Sequence, residues 1–462
     1  MVNRTPAAPR IPTAAEERAA RLNARIDRMP TYGFGIALFV LVGASYFFTF
    51  YDITAIGVTL PTLTEVLHLS GSQEATPVTA NLFAYIIGAY GLSTVADYIG
   101  RRRALAVSVV ILAAGSLATA FSWDLASLTA FRFITGLGMG AQISLAATIM
   151  TELTPPPLRG RGVALNVFWG GVGLGAAPWL GLALLDVGAI GWRLVFGAAA
   201  LVIVLLFFLN DRTLPESPRW LALHGQGDRA EEIVAAMERR IERRRGPLPP
   251  VHDVPVEATL RSFPTVELLR PPYLGRVVIV FLFWTFSYMG AYAYLAYQPT
   301  LIIKMGVAGD HGLLYSAIGD IAFPVGAFLA AVLIDRWQRK YLAVGAGLLG
   351  IIGVLVIALA SGPVAVVVGA FIAGIWLMSP AYGYSYTAEI FPTRARASAM
   401  SIGDGLGHIG GAIQPYIVVA VLAAFGPRPT FVVIAGITAV AMLIMLVGGI
   451  RTKNRDLTDV AA

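Results

Sequence analysis

The chain has 462 residues, of which 57% are hydrophobic and only 13% are charged, with 34 lysines and arginines against 27 aspartates and glutamates. Soluble domains carry about 25% charged residues, so a chain this apolar cannot cover a water-facing surface with polar groups. The composition excludes an ordinary soluble protein and indicates an outer surface that faces lipid. Because the chain has no cysteine, disulfides and thiolate metal sites are also excluded.

The apolar residues form long blocks, each able to supply the roughly 20 residues that a helix needs to cross a hydrocarbon core of about 30 Å. A transmembrane β-barrel would instead show alternating hydrophobicity over about 10 residues, which this sequence lacks. We therefore predict an all-α membrane protein with twelve transmembrane helices. The predicted spans are residues 33–60, 78–96, 104–122, 127–151, 162–186, 192–209, 277–303, 312–334, 341–360, 363–388, 397–424 and 427–450.

The spans divide the chain into five predicted segments. The first segment is rich in arginine, alanine and proline, and it lacks the apolar core of a signal peptide, so it is predicted to be a cytosolic tail. Two six-helix halves follow, separated by a charged cytosolic linker, and a second cytosolic tail ends the chain. The segments are residues 1–32, 33–209, 210–276, 277–450 and 451–462.

The linker contains one clear amphipathic pattern. Ile233, Met237 and Ile241 recur four residues apart in the charged stretch 227–245, which places them on one face of a helix. We predict cytosolic helices that lie under the membrane bundle. A disordered charged linker is the alternative.

The positive charges identify the sidedness of the spans. If both termini are cytosolic, 30 of the 34 lysines and arginines fall in cytosolic segments, and the outside segments hold only Arg193, Lys304 and Arg428. Cytosolic loops of membrane proteins carry this excess of positive charge, and the opposite orientation would break the rule. The net charge of +7 therefore reflects topology, and nucleic acid is not an expected partner.

The two halves share an internal repeat. A Glu-x-x-Pro-x-x-x-Arg pattern begins at Glu152 and recurs at Glu389. Asp97, which precedes a glycine and arginines, is echoed by Asp335 ahead of an arginine and a lysine. Both pairs fall at corresponding cytosolic helix ends, so the halves are parallel copies. Repeats around a site at the membrane midplane are typical of secondary transporters.

These motifs resemble the major facilitator superfamily, in the branch that holds sugar porters, organic-ion transporters and metabolite:proton symporters. The residues from Pro215 to Leu221, PESPRWL, match that branch's cytosolic signature, and so does the Arg-x-x-x-Gly-x-Gly-x-Gly pattern that begins at Arg132. The loop after the second span keeps Asp97 but holds Ser93 and Tyr98 where the family has glycine and arginine. The resemblance covers nearly the whole chain and implies transport by alternating access.

Arginines at cytosolic helix ends can pair with carboxylates on neighbouring helix ends. Such pairs must break when the cytosolic side opens, so they bias the equilibrium between inward- and outward-open states. Simple anchoring at the membrane surface is the alternative. The predicted gate residues are Asp97, Arg101, Glu152, Arg159, Asp335, Arg336, Glu389 and Arg396.

Asp52 and Arg132 are predicted to couple transport to protons. Both fall in the outer half of their spans, and proton-coupled relatives use an aspartate and an arginine at these places as the proton switch. Protonation of the carboxylate would release the arginine. A static ion pair that ties the two helices together is the alternative.

Other polar and aromatic residues at membrane depth are substrate candidates, because intramembrane ionisable groups usually mark a transport pathway. His408 occupies a position where organic-cation carriers hold an acid and organic-anion carriers an arginine, and Asp404, one turn earlier, is placed to pair with it. A structural hydrogen bond is the alternative role for His408, and interface belts or packing are the alternative for the aromatic rings. The predicted substrate-binding residues are Asn166, Trp169, Trp284, Tyr288, Tyr292, Gln298, Asp320, Trp376, Tyr384, Asp404, His408 and Gln414.

These residues favour a proton-coupled symporter of a small organic metabolite, with an organic or aromatic carboxylate as the expected substrate and Arg132 and protonated His408 as its positive groups. The alternatives are an organic-cation carrier that uses Asp320 and Asp404, a sugar porter, and a proton-independent uniporter or exchanger. A hexose is disfavoured because the paired glutamines that sugar porters carry in the seventh span, and the glutamine that they carry in the fifth, are missing.

Other classes of protein fit the sequence poorly. The chain has no metal-ligand spacing, nucleophile elbow or nucleotide loop, so we expect neither an enzyme, a metal or cofactor, nor an ATP-driven pump. A sensor would need a signalling domain, which the short tails do not supply. The expected setting is a bacterial inner membrane, with the protein acting as a monomer in the bilayer.

Overall fold

The computed structural model describes residues 13–251, 265–307, 311–334, 336–376, 379–391 and 395–452. Within these residues, twelve helices are long and apolar enough to cross a membrane, which confirms the predicted number of spans. One predicted gate residue, Asp335, lies outside the described residues, and so does the side chain of Arg396.

Fifteen helices are numbered here in chain order, and short 3-10 turns are included in the spans. Three of them, α1 (Ala14–Asp27), α8 (Pro218–Leu223) and α9 (Gly227–Arg245), lie outside the spans. The first six spans are α2 (Ile36–Val66), α3 (Gly71–Ile99), α4 (Arg101–Ala120), α5 (Leu125–Leu153), α6 (Pro156–Leu184) and α7 (Gly188–Phe208). The second six are α10 (Tyr273–Lys304), α11 (Gly312–Leu333), α12 (Arg339–Ala358), α13 (Pro363–Ile390), α14 (Ser398–Phe425) and α15 (Pro427–Gly448).

The first span is longer than the predicted segment. We expect α2 to end near residue 60, because Pro61 cannot donate a backbone hydrogen bond, but the helix continues to Val66. A proline removes one bond to the residue four positions earlier, here Gly57, and neighbouring helices can compensate for it in a membrane protein.

One span contains a π-helical turn near its start. In α14, Ser401–Gly405 forms a π-helical turn between the α-helical segments Arg396–Met400 and Leu406–Phe425. π turns inside helices occur frequently at functional sites, because they leave a backbone carbonyl without its usual partner. This turn contains Asp404, one of the predicted substrate-binding residues.

Close packing between spans depends on glycine. A Cβ atom built on Gly140 of α5 would overlap the carbonyl oxygen of Tyr85 on α3, and one on Gly136 would overlap the carbonyl oxygen of Asn81. The two positions are four residues apart and form one small-residue stripe, which lets two membrane helices approach closely. This packing fixes the position of Tyr85 at the middle of the bundle.

The two six-helix halves meet along several pairs of helices, chiefly α3 with α14, α6 with α11 and α2 with α10. In the α2–α10 contact, a Cβ atom on Gly57 would lie 2.5 Å from the carbonyl oxygen of Leu295. In the α6–α11 contact, a Cβ on Gly171 would lie 3.0 Å from the carbonyl oxygen of Phe323. Glycine therefore permits backbone-to-backbone contact between the halves.

The three helices outside the spans pack together as a unit, which we call the tail–linker cap (α1, α8 and α9). Leu22 and Ile26 of α1 are buried against Trp220, Met237 and Ile241. The helix predicted over 227–245 is present, and its apolar residues pack in the cap. The end of the bundle beside the cap is called the linker end, and the opposite one the far end.

The helix α1 is not predicted from the sequence, which shows only a charged tail. Its signals are a capping box formed by Thr13 and Glu16 and the spacing of Ala19, Leu22 and Ile26 along one face. Its polar face is held by ion pairs, including Arg25 to Glu238 at 2.6 Å and Arg28 to Glu238 at 2.6 Å. The tail therefore docks on the linker through both faces.

Candidate functional site

A buried ion pair joins α2 to α5. The Arg132 Nη1 atom lies 2.7 Å from Asp52 Oδ2, and both side chains are fully buried. The second carboxylate oxygen, Asp52 Oδ1, accepts a hydrogen bond of 2.9 Å from the Ser116 hydroxyl on α4. The structure thus brings together the two residues that the sequence selects for proton coupling.

Arg132 is only partly satisfied by this pair. Its Nε and Nη2 atoms have no hydrogen-bond partner among the described residues. The guanidinium lies 5.4 Å from the centre of the Phe196 ring on α7, at a distance that allows a cation–π contact. If the Asp52 charge were removed, the guanidinium would remain buried with no other ion pair among the described residues.

The second site is a cluster of rings around one acid, which we call the central aromatic cluster. The Asp404 carboxylate accepts hydrogen bonds on Oδ1 from the Tyr384 hydroxyl, at 2.9 Å, and from the Tyr288 hydroxyl. The Trp284 ring lies 5.1 Å from the Tyr288 ring and 4.8 Å from the Tyr384 ring. The members of the cluster are Tyr85, Trp284, Tyr288, Tyr292, Tyr384, Asp404 and His408.

His408 lies between the two halves. Its ring stacks on Tyr85 of the first half, with centroids 4.1 Å apart, and on Tyr288 of the second half, at 3.9 Å. Its Nδ1 atom lies 2.7 Å from the main-chain carbonyl oxygen of Asp404, and Nε2 lies 3.2 Å from the Tyr292 hydroxyl. Since a carbonyl only accepts, Nδ1 carries a proton.

The expected pairing of His408 with the Asp404 side chain is therefore wrong for this structure. The histidine bonds the main-chain oxygen of Asp404, while the carboxylate is held by the two tyrosines. The phenol hydroxyls come from α10 and α13, which are distant in sequence, so a local pattern within α14 does not reveal them.

Several predicted substrate residues lie outside the cluster. Gln298 accepts a hydrogen bond of 2.9 Å from Ser316, and this pair neighbours Asp320 at the α10–α11 contact. Trp376 packs against Gly350 of α12 and Gly290 of α10, next to the Tyr294 ring. These residues form a separate polar and aromatic group, so the structure does not bring the whole predicted set together.

Three more predicted residues also sit apart from the cluster contacts. Trp169 packs on Gly43 of α2. The side chains of Asn166 and Gln414 are fully buried, and their amide atoms have no hydrogen-bond partner among the described residues. Because unsatisfied buried amides are costly, these two side chains remain candidates for contact with a ligand or with water.

A second contact between the halves lies one turn from the cluster. The Tyr90 hydroxyl on α3 donates to the main-chain oxygen of Ser401, at the start of the π turn. The Tyr90 ring also covers Gly405, at the end of that turn. The first half therefore contacts the helix that carries Asp404 on both sides of that residue.

The predicted gate residues form ion pairs within each half. Arg101 lies 3.1 Å from Glu152 and 2.9 Å from Asp97. In the second half, Arg339 lies 2.9 Å from Glu389. The Arg101–Glu152 and Arg339–Glu389 pairs occupy corresponding positions of the repeat, although Arg339 was not among the predicted gate residues.

The other arginines of the predicted gate have different roles. Arg159 does not reach Glu152; it donates to the Thr154 carbonyl and pairs with Asp27 of α1 at 2.8 Å. Arg336 has interactions of its own at the linker end. The gate residues thus connect the first half to the tail–linker cap as well as to each other.

The PESPRWL signature has a clear structural role. The Glu216 carboxylate accepts hydrogen bonds from the backbone N–H groups of Arg101, at 2.8 Å, and Arg102, which are the first residues of α4. Trp220 Nε1 donates to the Asp97 carbonyl at 2.8 Å. An acid at a helix N-terminus satisfies free donors and complements the helix dipole. The linker thereby holds the loop between α3 and α4.

Sequence reasoning missed some of the residues that complete these sites. Ser116 supports Asp52, while Tyr85 and Tyr90 supply the contacts of the first half with α14. Each lies in an apolar span, where a serine or tyrosine is unremarkable. The one signal in the sequence that could have identified these residues is that their predicted depth in the membrane matches that of Asp52 or His408.

Two parallel-related halves, a buried ion pair and a ring-lined site between the halves define a polytopic membrane transporter of the major facilitator fold. The model of the "Sugar (and other) transporter" family matches residues 37–462. The chain belongs to this family, in the sugar-porter group of the major facilitator superfamily, and the members similar to it are transporters rather than enzymes.

Individual relatives align along nearly their whole length. The putative metabolite transport protein YyaJ of Bacillus subtilis is 27% identical over 435 residues, 94% of this chain and 96% of that protein. The niacin transporter NiaP of Acinetobacter baylyi is 29% identical over 455 residues, 95% of this chain and 99% of that protein. The partially occluded inward-open structure of the Escherichia coli xylose transporter XylE has a TM-score of 0.72 and 20% identity, covering 91% and 99% of the two chains.

Proposed function

We propose that this transporter is a proton-coupled symporter of a small organic metabolite that carries a carboxylate, working by alternating access. The observation that carries the proposal is the Asp52–Arg132 pair, fully buried and joined at 2.7 Å. Similarity to an arabinose-proton symporter of Bacillus subtilis, at 25% identity over 456 residues, supports proton coupling.

The coupling follows from the electrostatics of the pair. A proton on Asp52 neutralises the carboxylate, and Arg132 then remains as an uncompensated buried charge. Breaking a buried pair in this way costs about 3–5 kcal/mol, so the protonated protein favours a conformation in which the arginine finds water or another partner. Protonation and conformation are thereby linked, as symport requires.

Several features support an organic acid as the substrate. The central aromatic cluster presents flat rings with polar tips, which suit a partly apolar ring compound. His408 becomes cationic when it takes up a proton, and relatives include proteins named for niacin transport. A hexose remains disfavoured because the seventh span lacks the paired glutamines of sugar porters and the fifth span has no glutamine.

A second candidate function is carriage of an organic cation. It is favoured by one observation: Asp404, inside a ring-walled site, has no arginine or lysine partner in the described part of the chain. A cation could supply the missing charge, and aromatic faces attract cations.

The remaining parts of the proposal concern the setting. We place the protein in a bacterial inner membrane as a monomer, with both termini and the tail–linker cap in the cytoplasm, because that orientation puts 30 of 34 positive residues inside. The Arg101–Glu152 and Arg339–Glu389 pairs then lie at the cytoplasmic helix ends. We propose that they break when the cytoplasmic side opens.

The test is uptake into proteoliposomes of nicotinate, benzoate, a choline-like cation and a hexose, each with and without an inward proton gradient. Wild type is compared with Asp52→Asn and with the matched control Glu74→Gln, which alters another buried acid, in the first turn of α3. Accumulation of an acid that needs the gradient and is lost in Asp52→Asn, while exchange survives, supports the proposal. Accumulation of the cation alone supports the second candidate. Proton coupling is refuted if the uptake rate is the same with and without the proton gradient and is unchanged in Asp52→Asn.

A further inference from the structure

We propose that Asp404 is the specificity-determining residue of the central aromatic cluster and that it binds a positively charged nitrogen on the transported ring. The substrate class is then a compact heteroaromatic acid whose ring nitrogen is cationic in the bound state. The inference rests on the proposed function, because it takes the central aromatic cluster as the place where the transported substrate binds.

The hydrogen bonding of Asp404 uses only one of its two carboxylate oxygens among the described residues. Among the described residues, the hydrogen bonds to its carboxylate come from Tyr288 and Tyr384, and both end on Oδ1. The Asp404 residue is half-buried, whereas Tyr288 and His408 are buried. The tyrosines therefore fix the orientation of the carboxylate, and its Oδ2 atom remains available.

The charge of Asp404 is also unmatched. The salt bridges of the described residues include Asp52 with Arg132 but none to Asp404. Phenol hydroxyls supply hydrogen bonds without a counter-charge, and acids at membrane depth usually pair with a cation. A ligand with a fixed or acquired positive charge would complete the site.

The walls around Asp404 suit a flat cation. The Trp284 ring lies 5.1 Å from the Tyr288 ring and 4.8 Å from the Tyr384 ring. The two tyrosines that bond Asp404 are therefore backed by an indole, and aromatic rings attract cations. The indole is held in place by a hydrogen bond of 3.2 Å from its Nε1 to Thr387. The site is therefore preorganised before any ligand arrives.

His408 is in a poor position to neutralise Asp404. Its Nδ1 proton is committed to the Asp404 main-chain oxygen, and its Nε2 faces the Tyr292 hydroxyl. To meet the acid end of a ligand, Nε2 would exchange its contact with the Tyr292 hydroxyl, while Nδ1 keeps its main-chain partner. A ring compound with a cationic nitrogen and a carboxylate has one group for each of the two side chains.

The test uses three ligands built on one ring, whose nitrogen charge does not depend on pH. These are benzoate, with an anion alone; N-methylpyridinium, with a cation alone; and N-methylnicotinate, with both. Binding to the purified full-length protein is measured by quenching of tryptophan fluorescence and by isothermal calorimetry. The variants are Asp404→Asn, which keeps an oxygen for the two tyrosines but removes the charge; Asp404→Glu, which keeps the charge; and the control Glu74→Gln, at a buried acid in the first turn of α3.

Wild type is expected to bind N-methylnicotinate about tenfold or more tightly than benzoate, as a charge-assisted contact predicts. Asp404→Asn should weaken N-methylnicotinate and N-methylpyridinium by about tenfold or more and leave benzoate within about twofold, while Glu74→Gln leaves the ratios unchanged. Asp404→Glu should retain the preference. The inference is overturned if wild type binds none of the three or does not discriminate, if Asp404→Asn affects all three alike, or if Glu74→Gln shifts the ratio.

The two proposals fail separately. Loss of all proton-driven acid uptake, with N-methylpyridinium binding still dependent on Asp404, would refute the carboxylate symporter but leave the Asp404 assignment intact. Proton-driven acid uptake with no effect of Asp404→Asn on ligand preference would refute the Asp404 assignment alone.

Discussion

A methyl group on Gly57 is expected to change the balance between the conformations of the transporter. Gly57 lies where α2 of the first half touches α10 of the second, and a Cβ there would sit 2.5 Å from the Leu295 carbonyl oxygen and 2.8 Å from that of Ala296. Ordinary carbon–oxygen contacts are about 3.3 Å or longer, so the helices must separate by just under ~1 Å. Overpacking of this kind costs about 1–3 kcal/mol.

The cost applies only to states in which α2 and α10 touch, so Gly57→Ala should shift the equilibrium about 5- to 150-fold toward states in which they part. Because the chain has no native cysteine, pairs of introduced cysteines can be spin-labelled at the far end and their distances measured. The matched control is Gly436→Ala, where a Cβ meets no atom within 4 Å. Identical distance distributions for wild type and both variants would refute the reasoning.

Three other perturbations test the linker end. Burial alone would raise the pKa of Glu238, but hydrogen bonds from Arg25 and Arg28 outweigh it and hold the pKa below its ordinary value of 4.5. The docking of α1 is therefore expected to be complete above that value and lost as pH falls below it. Glu238→Gln should loosen α1 already at neutral pH. Hydrogen exchange of the α1 amides measures both effects. Glu216→Ala should weaken the first turn of α4 by about 0.5–2 kcal/mol, seen as faster amide exchange at Arg101 and Arg102 but not at the far end of α4. Arg339→Gln should favour the state open at the linker end; unchanged spin-label distances there would count against a gating role for its pair with Glu389.

The sequence is sufficient for the parts of the fold that depend on local composition. The twelve spans follow from the length of the apolar blocks, because a bilayer imposes a minimum helix length. The helix over 227–245 follows from its spacing of apolar residues. Asp52 and Arg132 are selected from the family resemblance, and the structure places them in contact.

Other features depend on contacts between distant segments, and a local pattern cannot supply them. Asp404 and His408 are four residues apart on one helix, yet the carboxylate bonds tyrosines of α10 and α13 instead of the histidine. The stacking of Tyr85 on His408 requires the close α3–α5 packing at Gly140 and the meeting of the two halves. The docking of α1 requires partners more than 200 positions later in the chain, such as Glu238 for Arg25 at a separation of 213.

The docked α1 closes the first half of the transporter into a non-covalent ring. Arg25 of α1 forms an ion pair with Glu238 of α9, and the chain between these two residues contains all six spans of the first half. Because α9 follows the six spans in the chain, this ring can close only after all six have been synthesised. A protease that cut once between α1 and α2 would leave the severed helix attached to the linker, because apolar contacts as well as ion pairs hold it there.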